Sequence, residues 1–468
     1  MSQKNMESQA YFENRSLARG SVGWLLLVGL GIAYVVSGDY SGWNYGIAHG
    51  GWFGLLIAVV CMGTMYTCMV LGLAELSSTL STAGGGYGFA RAAMGQVGGF
   101  MTGMALMIEY VCAPPAISTF IANYVSALGI LPEIDHAWII LAFFLFFIGI
   151  LCLGVGEALK VMFAITAVAL FALIVFYGSM LPEFSVSNLF NIAPTDATGA
   201  SVLLPYGFAG LIATLPFGMW LFLGIEGVPL AAEEAADPKR DLPKGLLVAM
   251  SVLICTAFLA MLLSAGGAGA EFIGKADAPL VDALNAVGKS GVATFINFVG
   301  LAGLIASFFS MMYAGSRQIF ALSRAGYIPK FLSITSAKKV PVYAVIIPST
   351  IGFCVAVYMK NGDQILNVAV FGACISYAMV NLSHILLRIK APEVKRGYRT
   401  PGGVFTTGVA FVLSCVALVS TFFVDMVAAS TVFGLFVLGM LYYFFYARHH
   451  LVANAPEEAF AAEAVEKA

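Results

Sequence analysis

Three carboxylates stand in stretches whose other residues give them no water. Asp39 lies in Ser37-Gly38-Asp39-Tyr40-Ser41-Gly42, with apolar residues before and after. Glu226 follows Trp220-Leu221-Phe222-Leu223-Gly224-Ile225, and Glu109 with its neighbour Tyr110 lies in a third apolar stretch, just ahead of Pro114-Pro115, a pair that would kink a helix. An ionised carboxylate in hydrocarbon costs about 2.5 to 3.5 kcal/mol on insertion scales, so each of the three needs a cavity, a partner or a proton. The chemistry this permits is the holding of a cation or the movement of a proton. Trp220 and Phe222 beside Glu226 add aromatic faces, which attract an ammonium when they are not simply packing. Each acid also has a plainer reading. Asp39 could cap a helix start, for which Asp is favoured. Glu226 could bond free backbone donors, and Glu109 could be a second cation ligand, a proton relay or a partner for a hydroxyl.

Other chemistries find no support. The five histidines, His49, His136, His384, His449 and His450, are scattered at segment ends or in the tail, and no nucleophile and base pair accompanies them, so an enzyme is not expected. The eight cysteines lie singly in apolar segments with no CxxC pair, which suits packing rather than metal ligation or disulfides, and no cofactor or metal is expected. A net charge of −2, with no basic run interleaved with aromatics, excludes nucleic-acid binding.

The elements that carry the acids follow from composition. Of 468 residues, 60% are hydrophobic and only 10% charged, against roughly 25% charged in a soluble domain. Apolar runs predict spans near 21–47, 52–76, 98–129, 137–155, 159–181 and 205–230, then 245–266, 291–322, 341–359, 364–389, 404–424 and 427–447. The first 20 residues are polar and mixed in charge, unlike a cleavable leader, so the first apolar segment is expected to be retained. With the N-terminus inside and the spans alternating, Lys and Arg residues such as Arg15, Arg19, Lys239, Arg240, Arg324 and Arg396 fall on the cytoplasmic side. Only Lys275, Lys289 and Lys360 fall outside. This predicts a multi-pass protein of the cell (cytoplasmic, inner) membrane with tails 1–20 and 448–468 both cytoplasmic.

Asp39 and Glu226 sit in the first and sixth spans, each crowded with glycine. These open two successive sets of five, 21–181 and 205–389, and five is odd, so the sets cross the membrane in opposite directions. Glycine-interrupted helices at matched places in inverted repeats point to a midplane binding site, where unwound backbone is tolerated if it lines a cavity. Two ordinary packing helices are the alternative, because small residues also permit close contact.

Four segments, in order, resemble the amino acid, polyamine and organocation permease superfamily. They are Ala74-Glu75-Leu76 through Ala83-Gly84-Gly85-Gly86-Tyr87; Trp220 to Glu226 with Glu233-Glu234 and Asp237-Pro238-Lys239-Arg240; Ser316-Arg317 with Arg324 to Lys330; and Arg388 through Tyr398-Arg399-Thr400-Pro401-Gly402. The resemblance implies an all-α membrane protein of about twelve transmembrane helices, a LeuT-like five-plus-five inverted repeat with helices 1 and 6 broken. Two peripheral helices, 404–447, would follow. It also implies a secondary transporter with the solute at the breaks. In that superfamily the first helix reads Gly-Ser-Gly-Ile and its N–H groups receive an amino acid's carboxylate. Here the place reads Ser37-Gly38-Asp39-Tyr40-Ser41-Gly42-Trp43-Asn44. Asp39 would repel a carboxylate by about 4 kcal/mol at about 4 Å for an effective dielectric of 20, and attract an ammonium. The segment is similar to the ethanolamine permease branch, so the resemblance implies import of ethanolamine, or of amino acids or another small amine on the same fold.

The substrate contacts implied are Ser37, Gly38, Asp39, Tyr40, Glu109, Tyr110, Trp220, Phe222, Gly224 and Tyr313, with Ser310 as a lesser candidate. Trp220, Glu226 and Glu109 are implied in gating or proton coupling. A lysine found mid-way along the fifth helix of some proton-coupled relatives is absent, Lys160 lying at the end of that span. Proton symport through Glu226 or Glu109, sodium or other cation symport, and exchange all stay open, as does oligomeric state. Membrane lipid is the only other partner expected.

Overall fold

The computed structural model describes residues 11–17, 20, 22–128 and 134–458, with the side chains of 155–157 excepted. The expectations for residues 1–10, Arg19 and 459–468 lie outside the described residues. Among the described residues the protein is all-α, with a single isolated β-bridge between Val22 and Ala235. Among the described residues, eleven helices are long and apolar enough to cross a membrane, and the shorter apolar stretch Trp24–Tyr40 supplies the twelfth span.

That first span is short because it is broken. A regular helix, Trp24–Val35, gives way to a single turn, Ser37–Tyr40, and helix resumes at Asn44. The resumed helix turns sharply at Gly51, φ 75°, and becomes the second span, ending at Thr79. Helix likewise begins at Gly85, earlier than the apolar pattern of the third span suggests. A second turn at Gly95, φ 78°, separates that leading arm from the span proper, which runs to Ala127. The arm lies ahead of the apolar run because it carries polar residues such as Arg91, which a helix tolerates. The fourth and fifth spans are His136–Leu153 and Val155–Met180. The sixth is regular over Gly207–Trp220, loses α-geometry, and continues as a 3-10 segment, Ile225–Ala231. Pro238–Ala268, Ser290–Arg324, Val342–Met359 and Gly362–Lys390 form the seventh to tenth spans, and Val404–Val424 and Met426–Phe445 the last two.

Burial sorts these helices. In the third and tenth spans 83% of the most apolar stretch is buried, and in the sixth 72%; in the fourth, ninth and twelfth it is 28%. The third, sixth and tenth spans are therefore central, and the fourth, ninth and twelfth, with the eleventh at 33%, lie outermost. The fourth, fifth, eleventh and twelfth spans turn Phe146, Phe171, Phe423 and Phe445 outward, each more than half exposed, as a surface solvated by lipid allows.

Candidate functional site

The two breaks meet backbone to backbone. A Cβ placed on Gly38 would lie 3.1 Å from Leu221 Cα and 3.1 Å from the Trp220 carbonyl oxygen. On the other strand of the crossing, Gly224 adopts φ 105°, a left-handed conformation, and a Cβ there would collide with Met311 of the eighth span at 2.2 Å. Glycine fits both places, by close backbone contact at Gly38 and by its left-handed conformation at Gly224. Ser307 of the eighth span fastens the first break: its hydroxyl accepts from the Ser37 N–H at 2.9 Å and donates to the Ala33 carbonyl at 2.6 Å. Trp220 fastens the crossing from above, its indole N–H donating to the Ser41 carbonyl at 2.9 Å.

The free backbone donors that unwinding usually leaves are mostly used here. Besides Ser37, the Asp39 N–H bonds the Val36 carbonyl, the Ser41 N–H the Ser37 carbonyl, and the Gly42 N–H the Asn44 side chain. Asp39 itself is fully buried, and neither carboxylate oxygen has a hydrogen bond of good geometry, the Thr256 hydroxyl making a weak contact. It turns toward the fifth and seventh spans, beside Thr256, whose hydroxyl is spent on the Leu253 carbonyl, and near Tyr177. Its carboxylate caps no N–H, so the helix-cap reading of Asp39 is not what the geometry shows.

Glu226 and Glu109 form a second acidic centre. Glu226 accepts from Tyr110 at 3.0 Å, from Tyr377 at 2.9 Å and from the Gly224 N–H at 3.2 Å. Glu109 accepts from Tyr377 at 3.0 Å and from Ser376 at 3.5 Å, and the two carboxyls are in contact. Tyr66 and Tyr34 close in from the second and first spans.

The residues singled out by sequence thus separate into groups. Ser37, Gly38, Trp220 and Gly224 converge at the crossing, while Glu109, Tyr110 and Glu226 build the acidic pair. Tyr40 faces away: its hydroxyl bonds the Ala169 carbonyl at 2.7 Å, and its ring packs on Gly300 and Gly303. Phe222 packs on Gly63 and Tyr66 of the second span. Tyr313 donates to Glu234, which pairs with Arg317 at 2.9 Å in a fully buried ion pair between the sixth span's exit and the eighth span. Ser310 bonds within its own helix. Sequence reasoning missed Tyr34, Tyr66, Ser307 and Tyr377. Ser376-Tyr377 was visible as a polar pair in an apolar span, but tyrosines are ordinary in such helices and nothing local aims them.

Where residues 11–17 and 447–458 approach each other, Arg324 gathers Glu233 at 2.6 Å, Glu457 at 2.5 Å and the Arg15 carbonyl at 3.4 Å. Arg91 holds Glu458 at 2.6 Å. With Asp39, Glu109, Tyr110, Trp220 and Glu226 all at most 3% exposed, the crossing is closed on both sides.

The model of the family described as "Amino acid permease" matches residues 26–457, nearly the whole chain and all of the site. The chain belongs to the amino acid permease family. The permease is 29% identical over 426 residues to an uncharacterised transporter of Rhizobium meliloti, covering 89% of this chain and 90% of that protein. It is 27% identical over 424 residues to the branched-chain amino acid permease BcaP of Bacillus subtilis, 86% and 87% covered. It is 24% identical over 477 residues to the methylthioribose transporter of the same organism, 95% and 97% covered. A multi-pass membrane transporter, rather than an enzyme, is the class to which the site belongs.

Proposed function

We propose that this permease imports a small organic amine, with ethanolamine the leading substrate, across the cytoplasmic membrane by alternating access. In this reading residues 21–181 and 205–389 act as inverted repeats whose broken first members hold the solute. Both chain ends lie in the cytoplasm. The observation that carries the reading is Asp39: a buried carboxylate in the break with a weak Thr256 contact and no ion-pair partner among the described residues, where a cation or a proton must offset its desolvation. Most of the N–H groups at the first break, those of Ser37, Asp39, Ser41 and Gly42, are already bonded, and the acidic pair adds further negative character. An ammonium brings donors to such a place; a carboxylate brings repulsion.

Asp39 would neutralise the ammonium, with Ser37, Gly38 and Gly224 contributing backbone atoms, Trp220 closing over the solute, and Glu109 with Glu226 coupling the gate to a proton. Tyr40, Phe222 and Tyr313 support the site from behind. Amino acid transport is the second reading, favoured by the name of the branched-chain relative. A relative named a methylthioribose transporter, a solute that is not an amino acid by that name, supports the amine reading.

Uptake of labelled ethanolamine into proteoliposomes, with imposed proton or sodium gradients and with amino acids as competitors, separates the two. Saturable uptake resistant to zwitterionic competitors is expected. Asp39→Asn should abolish it with the protein still inserted and monodisperse. Near-normal uptake by that variant, or transport of an amino acid alone, overturns the assignment.

A further inference from the structure

We propose that Glu109, Tyr377 and Glu226 form one proton-sharing unit that holds a single proton between its two carboxyls whenever the crossing is closed. The inference rests on the permease reading of the crossing but not on which solute it carries.

Tyr377 Oη lies 3.0 Å from Glu109 Oε1 and 2.9 Å from Glu226 Oε2. A phenol has one hydrogen. If it donates to one carboxyl it turns a lone pair to the other, and that contact is a hydrogen bond only when the second carboxyl carries a proton. The donors decide which is which. Glu226 also receives Tyr110 and the Gly224 N–H, whereas Glu109 has only the long contact with Ser376, whose hydroxyl already bonds the Ala373 carbonyl at 2.9 Å. The ionised member is therefore Glu226, and the order is Glu109 O–H to Tyr377 Oη, then Tyr377 O–H to Glu226. Passing the Tyr377 hydrogen to Glu226 while Glu109 gives its own to Tyr377 moves the negative charge to Glu109 and creates no other ion.

The elements packed around the unit supply no competing charge. The first and second spans bring the neutral hydroxyls of Tyr34 and Tyr66, the tenth brings Cys374, and Arg317 in the eighth is taken by Glu234. Closure with both acids ionised would leave like charges in contact and a lone pair against a carboxylate. Closing therefore takes up a proton, and opening to water lets it go.

Infrared difference spectra of the purified full-length permease, in water and in deuterium oxide, test this. In an Asp39→Asn background, which removes the crossing's other buried acid, a carboxylic-acid carbonyl band is expected at neutral pH. It is lost in Glu109→Gln, where Glu226 keeps Tyr377, Tyr110 and the Gly224 N–H as donors and stays ionised, and it persists in Glu226→Gln, where Glu109 is buried with Tyr377 as its close donor and keeps its proton. The double variant should lose no more than Glu109→Gln, and Tyr377→Phe, which keeps the ring, should shift the band. Size-exclusion elution verifies that the variants fold. Absence of the band from the Asp39→Asn background, its survival in Glu109→Gln, its loss in Glu226→Gln, or an unshifted band in Tyr377→Phe overturns the proposal. The solute reading fails separately, by absence of saturable amine uptake while the band persists.

Discussion

At Gly38 there is contact distance and nothing more between the two breaks. Alanine there needs the Leu221–Trp220 backbone to give way by a few tenths of an ångström, and backbone held in a crossing yields less readily than a side chain. Gly38→Ala should insert and elute normally yet lose most transport, measured as initial uptake rate; unchanged uptake would mean that the breaks do not need to touch. Ser307 makes the complementary case, since it joins two backbone groups that unwinding has freed. Ser307→Ala leaves a buried N–H and a buried carbonyl unpaired, at about 1 to 3 kcal/mol, and thermal unfolding should register it. Neither residue carries charge, which is why sequence alone makes Gly38 a candidate only through its neighbour Asp39 and gives no reason to select Ser307.

Among the elements, the broken spans were legible in glycine content and in misplaced acids, and the boundaries of most helices in the apolar runs. What periodicity could not show was the direction in which each side chain leaves its broken turn. Trp220 and Phe222 are two residues apart and were expected to form one aromatic wall, yet Trp220 bonds Ser41 across the crossing while Phe222 packs on the second span. Two variants expose the difference. Trp220→Phe keeps an aromatic side chain but loses the bond to the first break, and should raise the KM for the solute severalfold with a smaller loss of stability than Phe222→Ala. Phe222→Ala should destabilise by about 3 to 5 kcal/mol, the usual cost of emptying a buried aromatic site, while solute selectivity in competition assays stays as in the wild type.

Across the whole molecule, the crossing is closed off from the face of residues 11–17 and 447–458 by charges distant in sequence. Glu234 pairs with Arg317, and Arg324 joins Glu233 to Glu457, 133 residues further on. Removing one partner of the Glu234–Arg317 pair strands a buried charge, which costs about 3 to 5 kcal/mol, whereas removing both can be close to neutral. Arg317→Met should therefore lower the melting temperature markedly, and the double change with Glu234→Gln should recover a large part of the loss; a double variant as unstable as the single one would contradict the pairing.

Amino-acid order by itself determined the solvent, the number of spans, the two interruptions and the presence of three acids that hydrocarbon would not tolerate unpaired. These are properties of short windows: hydropathy over one helix length, glycine where regular helix fails, a carboxylate where water is missing. Tertiary structure decided the rest. It separated Asp39, turned to the fifth and seventh spans, from Glu226, and joined Glu226 to Glu109 through a tyrosine 151 residues beyond it. It also made Tyr40 and Tyr313 anchors rather than lining. The physical reason is that a broken helix has no fixed 3.6-residue phase, so the bearing of each side chain past the break is set by the helices packed against it.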